Sequence, residues 1–280
     1  CFFSLDDCPA LCPGAYFFKC RSYGNWCVDG SILPRDASVT LDDGSVVAVD
    51  PPIVECATCP NGAGRRPRGL RATRARSTVN SSALGSYFAS TAHLEKASVV
   101  AFRTLRADLA RLRAPKSLVR AAARAARDEF RHARETARLA RRFGASPPKV
   151  VVAKNEERRS LESLALENAV EGCVRETFGA LVASWQAAHA ADADIAKSMT
   201  IIAIDETRHA AHAWSIAKWS AKRLDFASNK RAAVAMQHAI TELEEASSRE
   251  PHTDLVRIAG VPDVRTQRAM LAALRLTLWA

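Results

Sequence analysis

The stretch Asp128-Glu129-Phe130-Arg131-His132-Ala133 returns 77 residues later as Asp205-Glu206-Thr207-Arg208-His209-Ala210. With 15 glutamates and 7 histidines in 280 residues, chance placement gives about 0.4 Glu-x-x-His pairs, so one such pair would carry no information. Two of them, each preceded by Asp and each with Arg before and Ala after the His, point to a duplication. The repeat reaches further than the motif. Glu95 precedes Glu129 by 34 residues and Glu171 precedes Glu206 by 35, which describes a helical hairpin written twice.

Helical geometry says which way these residues face. Leu118, Ala122, Ala125, Glu129, His132, Thr136 and Leu139 follow alternating steps of four and three, one inward seam of a helix. Met199, Ile202, Glu206, His209, Ala213 and Ile216 do the same, as do Phe88, Ala92, Glu95, Val99 and Phe102. The remaining seam is Leu164, Glu167, Glu171, Val174, Phe178, Leu181 and Trp185. Carboxylates and imidazoles thus stand where Leu or Ile would ordinarily be. Four or more carboxylates in one core are prohibitive without compensating positive charge, and two metal ions would supply it. Glu and His at i and i+3 share a face and can offer an oxygen and a nitrogen to one ion, and a carboxylate–imidazole shell with little sulfur suits iron or manganese. The alternative is a metal-free network in which Arg131, Arg175 and Arg208 pair with the buried acids, at a large desolvation cost.

Punctuation divides the chain. Residues 80–225 read as four helices: about Ser82 to Arg113, stopping before Pro115; Ser117, as a cap, to Gly144; Glu156 to Ala190; and Asp192 to Lys222. The first and last connections are short, and the middle one, "ASPPKVVVAKN", is long, since its prolines resist helix. That order is a four-helix bundle with one long crossover. Residues 226–280 read as extra C-terminal helices that cover or extend the bundle. No run of about 18 apolar residues occurs, so no spanning helix is expected.

Residues 1–79 read as a small cysteine-rich N-terminal module and an Arg-rich linker, with β-like runs in "ASVTLDDGSVVAVD". Seven of the eight cysteines fall there. Cys8, Cys12, Cys20, Cys27, Cys56 and Cys59 are disulfide candidates, and such clustering implies an oxidising, extracytoplasmic setting, periplasm or cell surface. Cys1 reads either as the lipid-bearing first residue of a mature bacterial lipoprotein, which would anchor the chain to a membrane, or as an arbitrary starting point. Cys56-x-x-Cys59 is also half of a zinc-type site, but lacks a second close pair. The formal charge of +10 comes mainly from Arg, with a run at Arg65, Arg66, Arg68, Arg71, Arg74 and Arg76. Without aromatic interleaving or a recognised motif, the run reads as a solvated linker and argues against nucleic acid.

The stretches "HLEKASVVAF", "DEFRHA", "ENAVEGCVRETFGAL" and "IAIDETRHAAHAW" resemble the ferritin-like di-iron carboxylate superfamily, in particular bacterial ferritin-like domain proteins. The likeness covers residues 80 to about 222, half the chain, and the overall fold class it implies is mainly α. It implies Glu95, Glu129, His132, Glu171, Glu206 and His209 as ligands of two iron ions, with manganese an equal chemical fit. It also implies that Asp128 and Asp205 hydrogen-bond the ligand histidines. Glu167, Glu176 and His212 are additional candidates: Glu167 lies one turn before Glu171, His212 one turn beyond His209, and Glu176 about 140° around the helix from Glu171. Cys173 reads as a small buried residue, and His93, His189, His238 and His252 as structural or surface groups.

The activity so implied is an oxidoreductase reacting with oxygen or peroxide, ferroxidase- or peroxidase-like, with an electron donor the sequence does not specify. The alternatives are a metal-binding or iron-handling surface protein without turnover, and a substrate oxygenase. A homodimer is compatible with the sequence, whereas segments flanking the bundle on both sides argue against a ferritin-type shell.

Overall fold

The computed structural model describes residues 65–71, 82–153 and 158–279, together with two short strands. The chain forms two compact units, Cys1–Cys59 and Pro60–Ala280. In the first, β1 (Ser38–Thr40) and β2 (Val46–Ala48) pair antiparallel with Val39 opposite Val47. Cys1, Cys8, Cys12, Cys20, Cys27, Cys56 and Cys59 lie outside the described residues, as do Arg74 and Arg76.

The second unit is helical. It contains α1 (Ala83–Arg111), α2 (Lys116–Arg142), α3 (Leu161–Glu167), a π-helical stretch at Asn168–Glu176, α4 (Thr177–His189) and α5 (Ala193–Ala221), followed by α6 (Phe226–Ala246), α7 (Thr253–Ala259) and α8 (Val264–Thr277). Each start has a local cause. The Ser82 side chain accepts from the Gly85 amide at 3.1 Å, Ser160 from Ser163 at 3.0 Å, Asp225 from Ser228 at 2.7 Å and Asp263 from Thr266 at 2.8 Å, while Asp192 caps α5. Such caps satisfy amides that the first helical turn leaves without partners. α2 departs from expectation: it begins behind Pro115, without a side-chain cap, and Ser117 lies inside the helix. Proline fits there because its missing N–H is one the first turn does not need.

Helices α1 and α2 pack along their length, α5 packs on α4 and the π stretch, and α2 meets α5. α3, the π stretch and α4 run on as one rod. Phe102, Leu105 and Leu109 of α1, Leu118, Ala122 and Ala125 of α2, Leu164 and Ile216 form one apolar cluster. A second contains Val174, Phe178 and Val182 of the rod with Ile240, Leu243, Met270, Leu271, Leu274 and Trp279. The C-terminal helices α6 and α8 are therefore packed on the rod, and the Trp279 indole donates to the Cys173 carbonyl at 3.0 Å. Each large apolar side chain so buried contributes about 1.5–3 kcal/mol relative to exposure. The segment EPHTDLVRIAGVPD between α6 and α8 itself contains α7, which ends at Gly260 with φ +64°. No helix among the described residues is long and apolar enough to cross a membrane.

Two features fix the long crossover between α2 and α3. The Arg159 Nε is 2.6 Å from Asp108 on α1. Residues 65–71, which the sequence placed in a solvated linker, form an arm on the helical unit: Arg71 N–H donates to the Val151 carbonyl at 2.9 Å, and Ala153 N–H to the Gly69 carbonyl at 2.8 Å. Gly69 turns the arm at φ +77°, a conformation only glycine adopts without strain.

Candidate metal centre

Three of the four expected seams are buried throughout. Glu95 of α1, Glu129 and His132 of α2, and Glu206 and His209 of α5 converge inside the unit. One ligand atom each from Glu95, Glu129, His132 and Glu206 lies within 4.8 Å of all the others. The His132 Nδ1 is 3.6 Å from Glu95 Oε2, 3.9 Å from Glu129 Oε2 and 3.3 Å from Glu206 Oε1. The His209 Nδ1 is 3.3 Å from both Glu129 Oε1 and Glu206 Oε1. Glu129 and Glu206 thus stand between the two imidazoles.

The far side of each ring is held by the opposite motif. His132 Nε2 is 3.0 Å from Asp205 Oδ2, and His209 Nε2 is 3.4 Å from Asp128 Oδ2. An ionised carboxylate can only accept, so each Nε2 carries the proton and donates it. In a neutral ring that tautomer leaves the Nδ1 lone pair facing the acids. The motif arginines close the arrangement from outside: Arg131 lies 2.8 Å from Asp128 and 2.9 Å from Asp205, and Arg208 pairs with Asp205 and lies 3.5 Å from Asp128. Every conspicuous position of the repeat has a task. Glu and His face the centre, Asp holds the other motif's His, and Arg holds both aspartates.

Electrostatically the cluster is balanced by protons. Burial lowers the His132 and His209 pKa, but the surrounding carboxylates outweigh it and raise both well above the ordinary imidazole range. Burial, then the neighbouring Glu95 and Glu206, push Glu129 well above the carboxylate range. Burial also pushes Glu206 up, yet the two imidazoles prevail and hold it at about 2. Asp205 is likewise held well below its usual range, because His132 and the two arginines outweigh burial.

The rod departs from expectation. Glu171 does not join the cluster. Its Oε2 accepts from the Arg66 amide at 3.0 Å and its Oε1 pairs with Arg175, which also reaches Glu242 at 3.3 Å. Glu176 takes the inward position instead, with no solvent exposure and with burial raising its carboxyl to about 7. The reason is the π stretch. Hydrogen bonds from i to i+5 turn the chain less per residue than an α-helix, so a seam counted in steps of three and four slips out of register after Asn168. π-helical irregularities inside α-helices recur at functional sites.

Glu167, the other rod candidate, binds Arg65 at 3.1 Å and pairs with Arg159. His212 is buried away from the acids. Its Nε2 is 3.0 Å from the Leu118 carbonyl, and burial, assisted by the Arg65 charge, lowers its pKa to about 4. Cys173 is buried and free, with its thiol pushed up to about 12 by burial.

Arg65 is the residue that sequence reasoning missed. It is fully buried: Nη1 faces Glu167, Nη2 donates to Asn168 Oδ1 at 2.8 Å, Nε lies 3.5 Å from Glu176, and the guanidinium sits 5.6 Å from the centre of the Phe102 ring. Gly172 makes room, because a Cβ there would collide with Arg65 Nη2 and with Ala213. No signal in the sequence distinguishes Arg65 from the arginines that follow it.

Arginines neutralise Glu171 through Arg175 and Glu167 through Arg65 and Arg159, but Arg131 and Arg208 bind the aspartates and leave Glu95, Glu129 and Glu206 without an arginine partner. Both oxygens of Glu95, Glu129, Glu206 and Glu176, and the Nδ1 of His132 and of His209, are buried without a hydrogen-bond partner. Orphaned polar atoms in such number are rare in a folded protein, and those of Glu95, Glu129, His132 and Glu206 converge on one volume of oxygen and nitrogen donors that can bind a metal ion. No family model, curated protein or solved structure matches the chain.

Proposed function

We propose that the chain is a ferritin-like metal-dependent oxidoreductase whose buried carboxylate–histidine centre reacts with oxygen or peroxide. The observation that carries this reading is the set of orphaned donors: four carboxylates and two imidazole nitrogens, aimed inward from α1, α2, the π stretch and α5. The donor set fits two ions, iron or manganese. Glu95, Glu129, His132, Glu176, Glu206 and His209 are the residues that would hold them. Such a pair supplies two electrons to a bound oxidant without forcing either ion to an extreme state.

The residues do the rest. Asp205 and Asp128 fix the imidazole tautomers and orientations, and Arg131 and Arg208 keep those aspartates ionised. Glu129 and the two histidines carry protons at positions a metal ion would take, so metal binding would release them. Fully buried Phe102, Ile202 and Ile216 keep bulk water from this part of the core.

Elemental analysis of the full-length chain from iron-supplied cells, with an oxygen trace on adding Fe(II), tests the proposal. One or two iron ions per chain with oxygen uptake is the expected result, and absence of bound metal after reconstitution would remove the reading.

A further inference from the structure

We propose that Arg65 is a built-in counter-cation for the Glu176 half of the centre, so that metal enters in two unequal steps, the second only when residues 65–71 withdraw. This rests on the metal-centre reading above. Three observations on the chain's own residues carry it.

The first is where the charge sits. Glu176 has no solvent exposure and neither oxygen has a hydrogen bond, and the nearest cationic group is Arg65, with Nε at 3.5 Å. The Phe102 ring lies 5.6 Å from the guanidinium and, tilted by 54°, 5.1 Å from the His209 ring. Arg65 therefore belongs to the His209–Glu176 side of the centre, while Glu95 and His132 meet on the other. Four carboxylates need compensation. One divalent ion and one guanidinium leave a single negative charge, and two divalent ions leave none, so either arrangement suits the core. Glu167, which Arg65 also meets, is already paired with Arg159, so two ions plus Arg65 would place an excess cation in a dry site.

The second is that the slot for Arg65 is built. Gly172 omits the side chain that would block it, Asn168 accepts at 2.8 Å while donating to the Ala213 carbonyl at 2.9 Å, and Glu167 pairs at 3.1 Å. These three partners all come from the stretch Glu167 to Gly172, where the rod changes to π-helix. The same irregularity that turns Glu176 inward holds the arginine against it.

The third is that the plug can leave without unfolding the bundle. Besides the Arg65 side chain itself, the arm is fastened by two backbone hydrogen bonds, Arg71 to Val151 and Ala153 to Gly69, and by the Arg66 amide to the Glu171 carboxylate. None of these lies inside the apolar clusters that hold the helices together.

The test is calorimetric titration of manganese(II) into the full chain after chelation, for the native protein and for Arg65→Gln. The native protein should bind one ion tightly and a second at least about 100-fold more weakly, and Arg65→Gln should tighten the second step about tenfold or more while leaving the first within about threefold. Limited trypsin digestion of the native protein, which needs no variant, should show cleavage after Arg65 or Arg68 rising as the second equivalent is added. Two ions bound with equal affinity in native and variant proteins, or an arm still protected at two equivalents, would overturn the inference while leaving the metal centre standing. Failure of both proteins to take up any manganese would overturn the metal reading and this inference together.

Discussion

His132 on α2 gives its Nε2 proton to Asp205 on α5, at 3.0 Å, and His209 on α5 answers toward Asp128 on α2, at 3.4 Å. Asp205→Asn keeps the shape but replaces an ionised acceptor with an amide, so the His132 ring loses the group that fixes its tautomer. Metal affinity is expected to fall about 10- to 100-fold with the helical content unchanged. Calorimetric manganese titration with circular dichroism checks it; equal affinity would make the contact incidental.

Glu129 separates binding from stability. Its pKa is held well above the carboxylate range by burial and by Glu95 and Glu206, which favours the neutral acid that glutamine imitates. Glu129→Gln should change the metal-free unfolding free energy by about 1 kcal/mol or less, while metal affinity drops at least about 100-fold. Urea denaturation in chelator, set beside elemental analysis, distinguishes the two effects.

Glu171→Gln tests the register of the rod. Since Glu171 faces Arg175 and the Arg66 amide, the variant should keep its metal content and lose no more than about 1 kcal/mol from the ion pair. Loss of bound metal would mean that the carboxylate turns inward once ions are present.

Glu176 gives a pH signature. Its carboxyl titrates near 7 folded against 4.5 ordinarily. Below pH about 4.5 it is protonated in both states and contributes no difference. Between the two values the unfolded chain has lost the proton that the folded chain retains, so stability declines as pH rises, by on the order of 3 kcal/mol once above 7. In chelator, Glu176→Gln should match the native protein at pH 4 and exceed it at pH 8 by about that amount. A difference independent of pH would refute the assignment.

Three seams were legible in the sequence because α1, α2 and α5 keep ordinary helical pitch around their acids: from Phe88 to Phe102, Leu118 to Leu139 and Met199 to Ile216, every residue counted inward is buried. The fourth was not, because nothing in Asn168-Ala169-Val170-Glu171-Gly172 announces an i to i+5 turn, and the count carried past it chose Glu171 over Glu176. The Arg-rich run misled for a related reason. Arg65 is one cation among six in sequence, and only the pocket beside Gly172 separates it from neighbours that read equally well as solvated.

The exchange of aspartates makes the two halves of the repeat tenants of one another. Neither hairpin contains a finished site, since each supplies the acid that steadies the other's imidazole. A copy that drifted alone would damage its twin first, and the two motifs can change only as a pair. The near-identity of two hexapeptides 77 residues apart is then the mark of a debt owed in both directions.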